Sequence, residues 1–589
     1  MNNKAILYYQ EKLASILKNV EKYNQVNIIF SVLKLFSFIA AIIVLVYGFY
    51  SQGFNIAFIF VFPVIFILLV IFNQKYLRLY SYYKSSANYI QDEISFYHKD
   101  FSVFRPCEEN INPSHDFSYD LDIFEKGSLF HSLNRCSTLE GETLLKTKIL
   151  NPSGNKSHIL KYQQAVQELI SMRDLSCDIS SISYNAPSSL NSFINSIEKK
   201  DNIKVNKVKL IPAYISAVIT IGATILYAFN VLPSVVPLGL FIIQFLASSI
   251  FTKKANDSYG KLNKANKAAT TYLQICKSVL QYDFKSEFLI EIKENLTHMY
   301  KGIYQLQKIN AEFDQRNSGL YFLLSNGFLL KDIFLLNKVN KWILENSKYI
   351  NKWSDTIAHI DVINSISTYA YINNDFIFPI MDNNTIIKAE NLSHPSINIE
   401  KRIGNTIEIS KTHNFLIITG ANMAGKSTFI RSIGINLILA SLGAPVCAKS
   451  FYFQPVSMFS SMRTSDKLME SSSYFHAELQ RLKLLKEKAA QGETILILLD
   501  EILKGTNSQD KLKGSKLVLL KFIEYNMAGI LATHDTALGS LKKEYPDNFR
   551  NYYFDFNLDD NGEMIFDYKL KKGISQNMNA SILIEKVLE

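Results

Sequence analysis

The feature that most limits what this chain can fold into is a set of four apolar runs arranged as two close pairs. Residues 35–50 (LFSFIAAIIVLVYGFY), extended upstream by 28–32, are followed after 51–53 by residues 54–72 (FNIAFIFVFPVIFILLVIF). Residues 210–229 (LIPAYISAVITIGATILYAF) are followed, after Asn230 and Val231, by residues 232–251 (LPSVVPLGLFIIQFLASSIF). A helix of about 20 apolar residues crosses a hydrocarbon core of ~30 Å. Buried helices of soluble domains are apolar on one face, whereas these are apolar all round. Each pair therefore predicts a transmembrane helical hairpin. Lys12, Lys18, Lys22 and Lys34 precede the first pair and Lys75, Arg78 and Lys84 follow it; Lys204, Lys207 and Lys209 precede the second, and Lys253 and Lys254 follow it. The hairpin tips carry no charge, so the tips face outward and the rest of the chain is expected in the cytoplasm. The first run starts too deep and is too long for a cleavable signal. The last three runs hold no ionisable residue. That argues against a conduction path or proton relay and for anchoring.

The 589 residues predict several domains. The composition, 48 % hydrophobic and 20 % charged, excludes a disordered chain. The mean hydropathy of +0.04 is high for a chain rich in Lys, Asn and Ser, and the four runs account for it. The 63 basic and 53 acidic residues give a net charge of +10. This mild basic bias fits a nucleic-acid partner, but part of it flanks the hairpins as a topology signal. Cys107, Cys136, Cys177, Cys276 and Cys447 are scattered and never spaced C-x-x-C, which argues against a disulfide framework or zinc site.

The strongest chemical signal is residues 415–431, FLIITGANMAGKSTFIR. An apolar strand runs into Gly-x-x-x-x-Gly-Lys-Ser and then a helical pattern, the context that identifies a phosphate-binding loop. Backbone N–H groups of Gly420, Ala421, Asn422, Met423, Ala424, Gly425 and Thr428 would cradle phosphates at a helix N-terminus. Lys426 would reach the β- and γ-phosphates, and Ser427 would ligate Mg²⁺. Residues 494–501 (TILILLDE) form an apolar strand ending in two acids. Asp500 would hold Mg²⁺, and Glu501 would activate the attacking water. A third apolar strand, 529–534 (GILATH), ends at His534, placed to sense the γ-phosphate. Between these lie hydroxyl-rich residues 459–479 and a helix continuing to about Ala490.

Taken together, these residues resemble the MutS mismatch-repair ATPases. The match is TGANMAGKST at 419–428, DEILKGT at 500–506 with Asp510 downstream, Ser465-Asp466-Lys467-Leu468, and Ser473 through Glu478 (SYFHAE). Ala532-Thr533-His534 and His394-Pro395 also fit. Upstream, residues 121–168 resemble the start of that family's helical lever, with Thr138 to Gly141 as its turn and Gln164 to Val166 closing a helix. The resemblance implies ATP and Mg²⁺ as cofactors and a homodimer with composite sites, Ser473 acting in trans. It also implies double-stranded DNA as the partner of the levers. The chain departs from the family in several places. The N-terminus carries a membrane hairpin where mismatch finders carry a Phe-x-Glu wedge domain. The Phe-Ile-Glu at 522–524 lies inside the ATPase region and is a chance match. Ala424 and Ser471 replace family glycines. Residues 568–589 keep the family's Tyr-x-Leu-x-x-Gly opening, and neither an appended nuclease nor a long dimerisation tail is expected after it.

The expectation is a mixed α and α/β multidomain chain in the cytoplasmic membrane. A cytoplasmic helix occupies 1–27, the first hairpin 28–73, a linker or helix 74–115 and the first part of the lever 116–208. The second hairpin follows at 209–252, the returning lever helices at 253–380, and a P-loop ATPase domain of the ABC type at 381–589. The function expected is that of a membrane-anchored ATPase binding DNA, as in mismatch repair. The alternatives are an ATPase that remodels membranes or proteins without DNA, and an ABC transporter. The last is opposed by the few spans and the lack of a Leu-Ser-Gly-Gly-Gln signature.

Overall fold

The computed structural model describes residues 4–51, 57–182, 184, 189, 210–410, 414–421, 423–463, 474–490, 494–503, 507–525, 527–558 and 564–575. The apolar runs are parts of much longer helices. The first two elements are α1 (Lys4–Tyr50) and α2 (Ala57–Tyr97). At 1.5 Å per residue, the 47 residues of α1 reach about 70 Å, twice what a membrane requires. The surplus forms an antiparallel stalk zipped by aromatic pairs, with Tyr23 stacked on Tyr83 and Phe30 on Tyr76 at ring separations of 5.4 Å. The later apolar runs lie in α7 (Leu210–Ala228) and the first half of α8 (Val235–Leu280). Gln244 donates to Ser216 Oγ at 2.6 Å across that second hairpin, pairing a polar group that would otherwise face only apolar neighbours. By length and composition, four helices of the described residues could cross a membrane. The boundaries expected at 27/28, 73/74 and 252/253 fall inside continuous helices. Hydropathy changes at those points, but nothing there breaks a helix.

The stalk ends on a helical core of α3 (Leu129–Leu133), α4 (Leu139–Leu150), α5 (Lys156–Ile170) and α6 (Arg173–Ser181). Thr138 caps α4 by accepting from Gly141 N at 3.1 Å. Arg135 and Glu93 of α2 form a fully buried pair at 2.5 Å, and Arg173 donates to Tyr9 OH at 2.7 Å. The second half of α8 continues into this core and returns as α9 (Glu287–Arg316), α10 (Gly319–Leu329) and α11 (Lys331–Ile372). Core and levers share one apolar interior, with Leu145, Tyr162, Ile275, Leu296 and Ile357 fully buried.

The C-terminal region holds two main sheets. Strands β1 (Ile380–Met381), β2 (Thr385–Leu392), β3 (Asn405–Ser410) and β5 (Ser450–Phe453) form one, in the order β1-β5-β2-β3. The larger sheet contains β4 (Phe415–Gly420), β6 (Ser457–Ser461), β7 (Ile495–Asp500), β8 (Ala528–Thr533), β9 (Phe549–Phe554) and β12 (Lys571–Lys572). Its order is β12-β9-β4-β8-β7-β6, parallel except for β12. A small hairpin joins β10 (Phe556–Leu558) to β11 (Met564–Phe566). Strands β4 and β8 are buried along their whole length. Both faces of a parallel sheet must be covered, and continuous apolar runs satisfy that demand. The helices of this region are α12 (Lys426–Ser441), α13 (Tyr474–Ala490), α14 (Ser508–Glu524) and α15 (Leu541–Glu544).

Candidate nucleotide site

Parallel α/β sheets present their chemistry at the C-terminal strand ends, where connections reverse. Here β4, β7 and β8 are neighbours, so Gly420, Asp500 and Thr533 end side by side. The turn after β4 is made possible by backbone freedom. Gly420 has φ +147° and Gly425 φ +97°, and a Cβ on Gly420 would lie 2.5 Å from Phe554 O. Between them Met423 takes a positive φ of 67° with its side chain exposed. Ala424, where a glycine was expected, is buried and is not among the positive-φ positions, so its methyl is accommodated.

Lys426 is buried and donates to Gly420 O and Ala421 O, both at 2.8 Å. Burial pushes its ammonium down to about 8, against the opposing pull of Asp500 and Glu501. Ser427 Oγ donates to Asp500, so two oxygens that could hold a hard cation meet at one point. Glu501 sits in a positive-φ turn (φ 58°), its backbone N–H held by Ala532 O at 2.9 Å. Its carboxylate lies 3.0 Å from His534 Nε2 and 3.7 Å from Lys511 Nζ. Strain at such a position is found where a side chain must be aimed. Burial and the neighbouring Lys426 lower the His534 pKa, while Glu501 opposes them.

One cavity of about 710 Å³ is lined by Ala421, Met423, Gly425, Lys426, Ser427, Thr428, Asp500, Glu501 and His534. The sequence-derived set thus gathers around one cavity, although Gly420 and Ala424 shape the loop without lining it, and Asn422 and Ser473 lie outside the described residues. So do Ser465, Asp466, Leu468, Ser471, Gly505 and Thr506. The same cavity is lined by His394, Ile403, Phe554 and Tyr568. Burial and nearby arginines hold His394 neutral, down to about 4. Phe554 and Ile403 were not legible beforehand, since a single aromatic at a strand end carries no spacing signal. Glu478 of α13 accepts from Leu503 N at 2.8 Å, tying that helix to the turn after Glu501.

Another missed residue is Asp122. Its carboxylate pairs with Arg431 of α12 at 2.8 Å and with Arg463, which lies in the first part of the hydroxyl-rich 459–479 segment. A single acid of the helical core thus holds the loop helix and the root of that segment together.

Two family models match this chain: MutS domain III over residues 111–367 and MutS domain V over residues 416–586. The DNA mismatch repair protein MutS of Clostridioides difficile is 27 % identical over 514 residues, covering 78 % of this chain and 52 % of that protein. MutS protein homolog 4 of Homo sapiens is 28 % identical over 325 residues, or 54 % of this chain and 31 % of that protein. MutS of Finegoldia magna is 32 % identical over 247 residues, or 41 % of this chain and 28 % of that protein. This chain therefore spans about half or less of the length of these relatives. With both the helical core and the nucleotide-site region matched in the same order, the chain belongs to the MutS family.

Proposed function

We propose that this chain is a membrane-anchored, Mg²⁺-dependent ATPase that works as a dimer. The observation that carries the reading is the meeting of Lys426, Ser427, Asp500, Glu501 and His534 in one cavity behind a left-handed glycine turn. The residues fit ATP and Mg²⁺. The Lys426 ammonium is held by carbonyls that phosphate oxygens can replace. The Ser427 and Asp500 oxygens are the hard donors Mg²⁺ prefers. Bound Mg²⁺ would neutralise phosphate charge and orient the γ-phosphoryl group. The chain's own residues supply the rest. Lys426 holds the terminal phosphates, Glu501 takes the proton of the attacking water, and His534 fixes Glu501 and reads the γ-phosphate side. His394, Ile403, Phe554 and Tyr568 offer a largely apolar wall for a base. Ser473 of a second copy would complete the site.

Movement at the site reaches the helical core through Asp122, and α13 follows the turn after Glu501 through Glu478. The two apolar hairpins hold the chain in the cytoplasmic membrane, with the N-terminus, levers and nucleotide site inside the cell. The relatives are named for DNA mismatch repair, so duplex DNA is the first partner to test. A second reading, action on the membrane without DNA, is favoured by the apolar helix at the lever end. Titration of the purified full chain with labelled duplex, mispaired and branched DNA at low salt separates them. Salt-sensitive binding supports a DNA role; no binding to any of the three refutes it.

A further inference from the structure

Helix α10 has its polarity inside out. Among its 11 residues, Ser325, Asn326 and Gly327 are the buried ones, Asn326 at 0 % exposure. The outward side chains are Leu320 (71 % exposed), Tyr321, Leu323, Leu324 and Leu329. A helix lying on a soluble domain shows the reverse, apolar residues inward and polar ones to water. Small and polar residues at the contact with apolar residues outward is the pattern of a helix packed in lipid.

The position of α10 agrees. It joins α9 to α11 at the far end of the levers, at a bend of 88° from α11. Phe328 packs on Phe241 at 5.0 Å and Phe322 on Phe245 at 5.9 Å. Both partners belong to the apolar part of α8. Gly327 permits this contact, since a Cβ there would sit 2.1 Å from the Phe241 ring. The outward leucines therefore extend the apolar surface of the second hairpin, where Ile215, Val218, Leu238, Leu246 and Ile250 are also exposed.

Behind this surface lies a buried polar joint. Arg316 of α9 grips Asp332 of α11 through two bonds of 2.7 and 2.6 Å, and both side chains are almost fully enclosed. Thr252 and Asn326 donate to the same carboxylate at 2.9 and 3.3 Å, and Arg316 also donates to Asn256 at 2.5 Å. This joint locks α8, α9, α10 and α11 together, since breaking one partner strands a buried charge. Lys253 and Lys254 follow Thr252 on α8, where a cation band would meet lipid headgroups.

We propose that α10 is an in-plane membrane helix, seated at the boundary of headgroups and acyl chains beside the second hairpin, so that the lever end grips the bilayer itself. The proposal rests on the membrane reading of the hairpins given above. The 42 residues of α11 then link that grip, about 63 Å away along the helix, to the core beside the nucleotide site.

The test uses the full chain in vesicles of phosphatidylethanolamine and phosphatidylglycerol, with or without bromine on the acyl chains. Bromine quenches tryptophan that it touches. Leu324→Trp probes α10, Leu320→Trp repeats the probe should the first variant fold poorly, and Val218→Trp probes the second hairpin. Fluorescence is read as the difference from the parent chain, which contains Trp342 and Trp353. The expected result is quenching of the added signal by half or more at both the α10 and hairpin positions. Quenching at Val218→Trp with none at Leu324→Trp or Leu320→Trp overturns the proposal and leaves the membrane anchor standing. No quenching at any position overturns both. Protection of α10 from bromine, together with crosslinking of α10 between two copies, gives this face to a second chain and likewise overturns the proposal.

Discussion

Replacing Asp361 by alanine removes the carboxylate that joins α11 to the start of α4. Asp361 is fully buried and accepts from Ser137 N at 3.0 Å, Thr138 N at 2.8 Å and Thr138 Oγ1 at 2.7 Å. The Thr138 hydroxyl can turn to another partner, but the two backbone N–H groups cannot. Each stranded donor costs about 1–3 kcal/mol, and the small cavity adds to this, so a loss of about 4 kcal/mol is expected. That is ~1000-fold in the opening equilibrium of this joint. The same group predicts a pH dependence. Burial lifts its carboxyl from the usual 3.8 to about 7, against the pull of its donors. With the folded value above the unfolded one, the unfolded chain releases its proton first as pH rises. Stability therefore falls between about pH 4 and pH 7 and is level above. The gap sets an upper bound of about 4 kcal/mol on the total fall across that window. Hydrogen exchange of amides in 138–150, corrected for the intrinsic effect of pH, measures both effects. Alanine should accelerate exchange by two to three orders of magnitude, on the scale of the ~4 kcal/mol loss. Asp361→Asn, which cannot titrate, should abolish the slope between pH 5 and 7. Acceleration below about fivefold, or a slope that survives in Asp361→Asn, would refute the reasoning.

Glu93→Ala strands the buried Arg135 guanidinium and should cost about 3–5 kcal/mol, seen as faster proteolysis and exchange where α2 meets the core. Lys426→Ala should abolish binding of a fluorescent ATP analogue, because the phosphates lose their only buried ammonium partner among the described cavity residues. Glu501→Gln should retain nucleotide but lower turnover by about 10²–10⁴-fold, measured by phosphate release against nucleotide affinity. Asp122→Asn should leave nucleotide affinity near that of the parent and lower turnover, because Arg431 and Arg463 lose the acid that couples them; equal loss of affinity and rate would contradict that role.

The residues of the candidate nucleotide site were largely readable because phosphate and Mg²⁺ chemistry would demand particular residue types at fixed spacing. Gly425, Lys426, Ser427, Asp500, Glu501 and His534 all line the cavity. The apolar runs were readable because 20 uncharged residues have few uses. What stayed hidden depends on distance in sequence. Asp361 and Thr138 are 223 residues apart, and a lone acid in a long helix gives no sign of its partner. Asp122 and Arg431 were equally silent. The extent of α1, α2 and α8 was missed because hydropathy marks where a helix leaves an apolar medium, not where the helix stops. Helix α10 was folded into the lever reading, since GLYFLLSNGFL shows its inverted polarity only once its inward face is known.

The central claim is that the cavity around Lys426 hydrolyses ATP in a membrane-held chain. Steady-state phosphate release by the purified full chain in lipid vesicles, with and without Mg²⁺, tests it most directly when parent and Glu501→Gln are compared side by side. The expected result is Mg²⁺-dependent turnover that sediments with the vesicles and falls at least ~100-fold in Glu501→Gln. Equal turnover by parent and variant, or none by a parent chain that binds nucleotide, would contradict it.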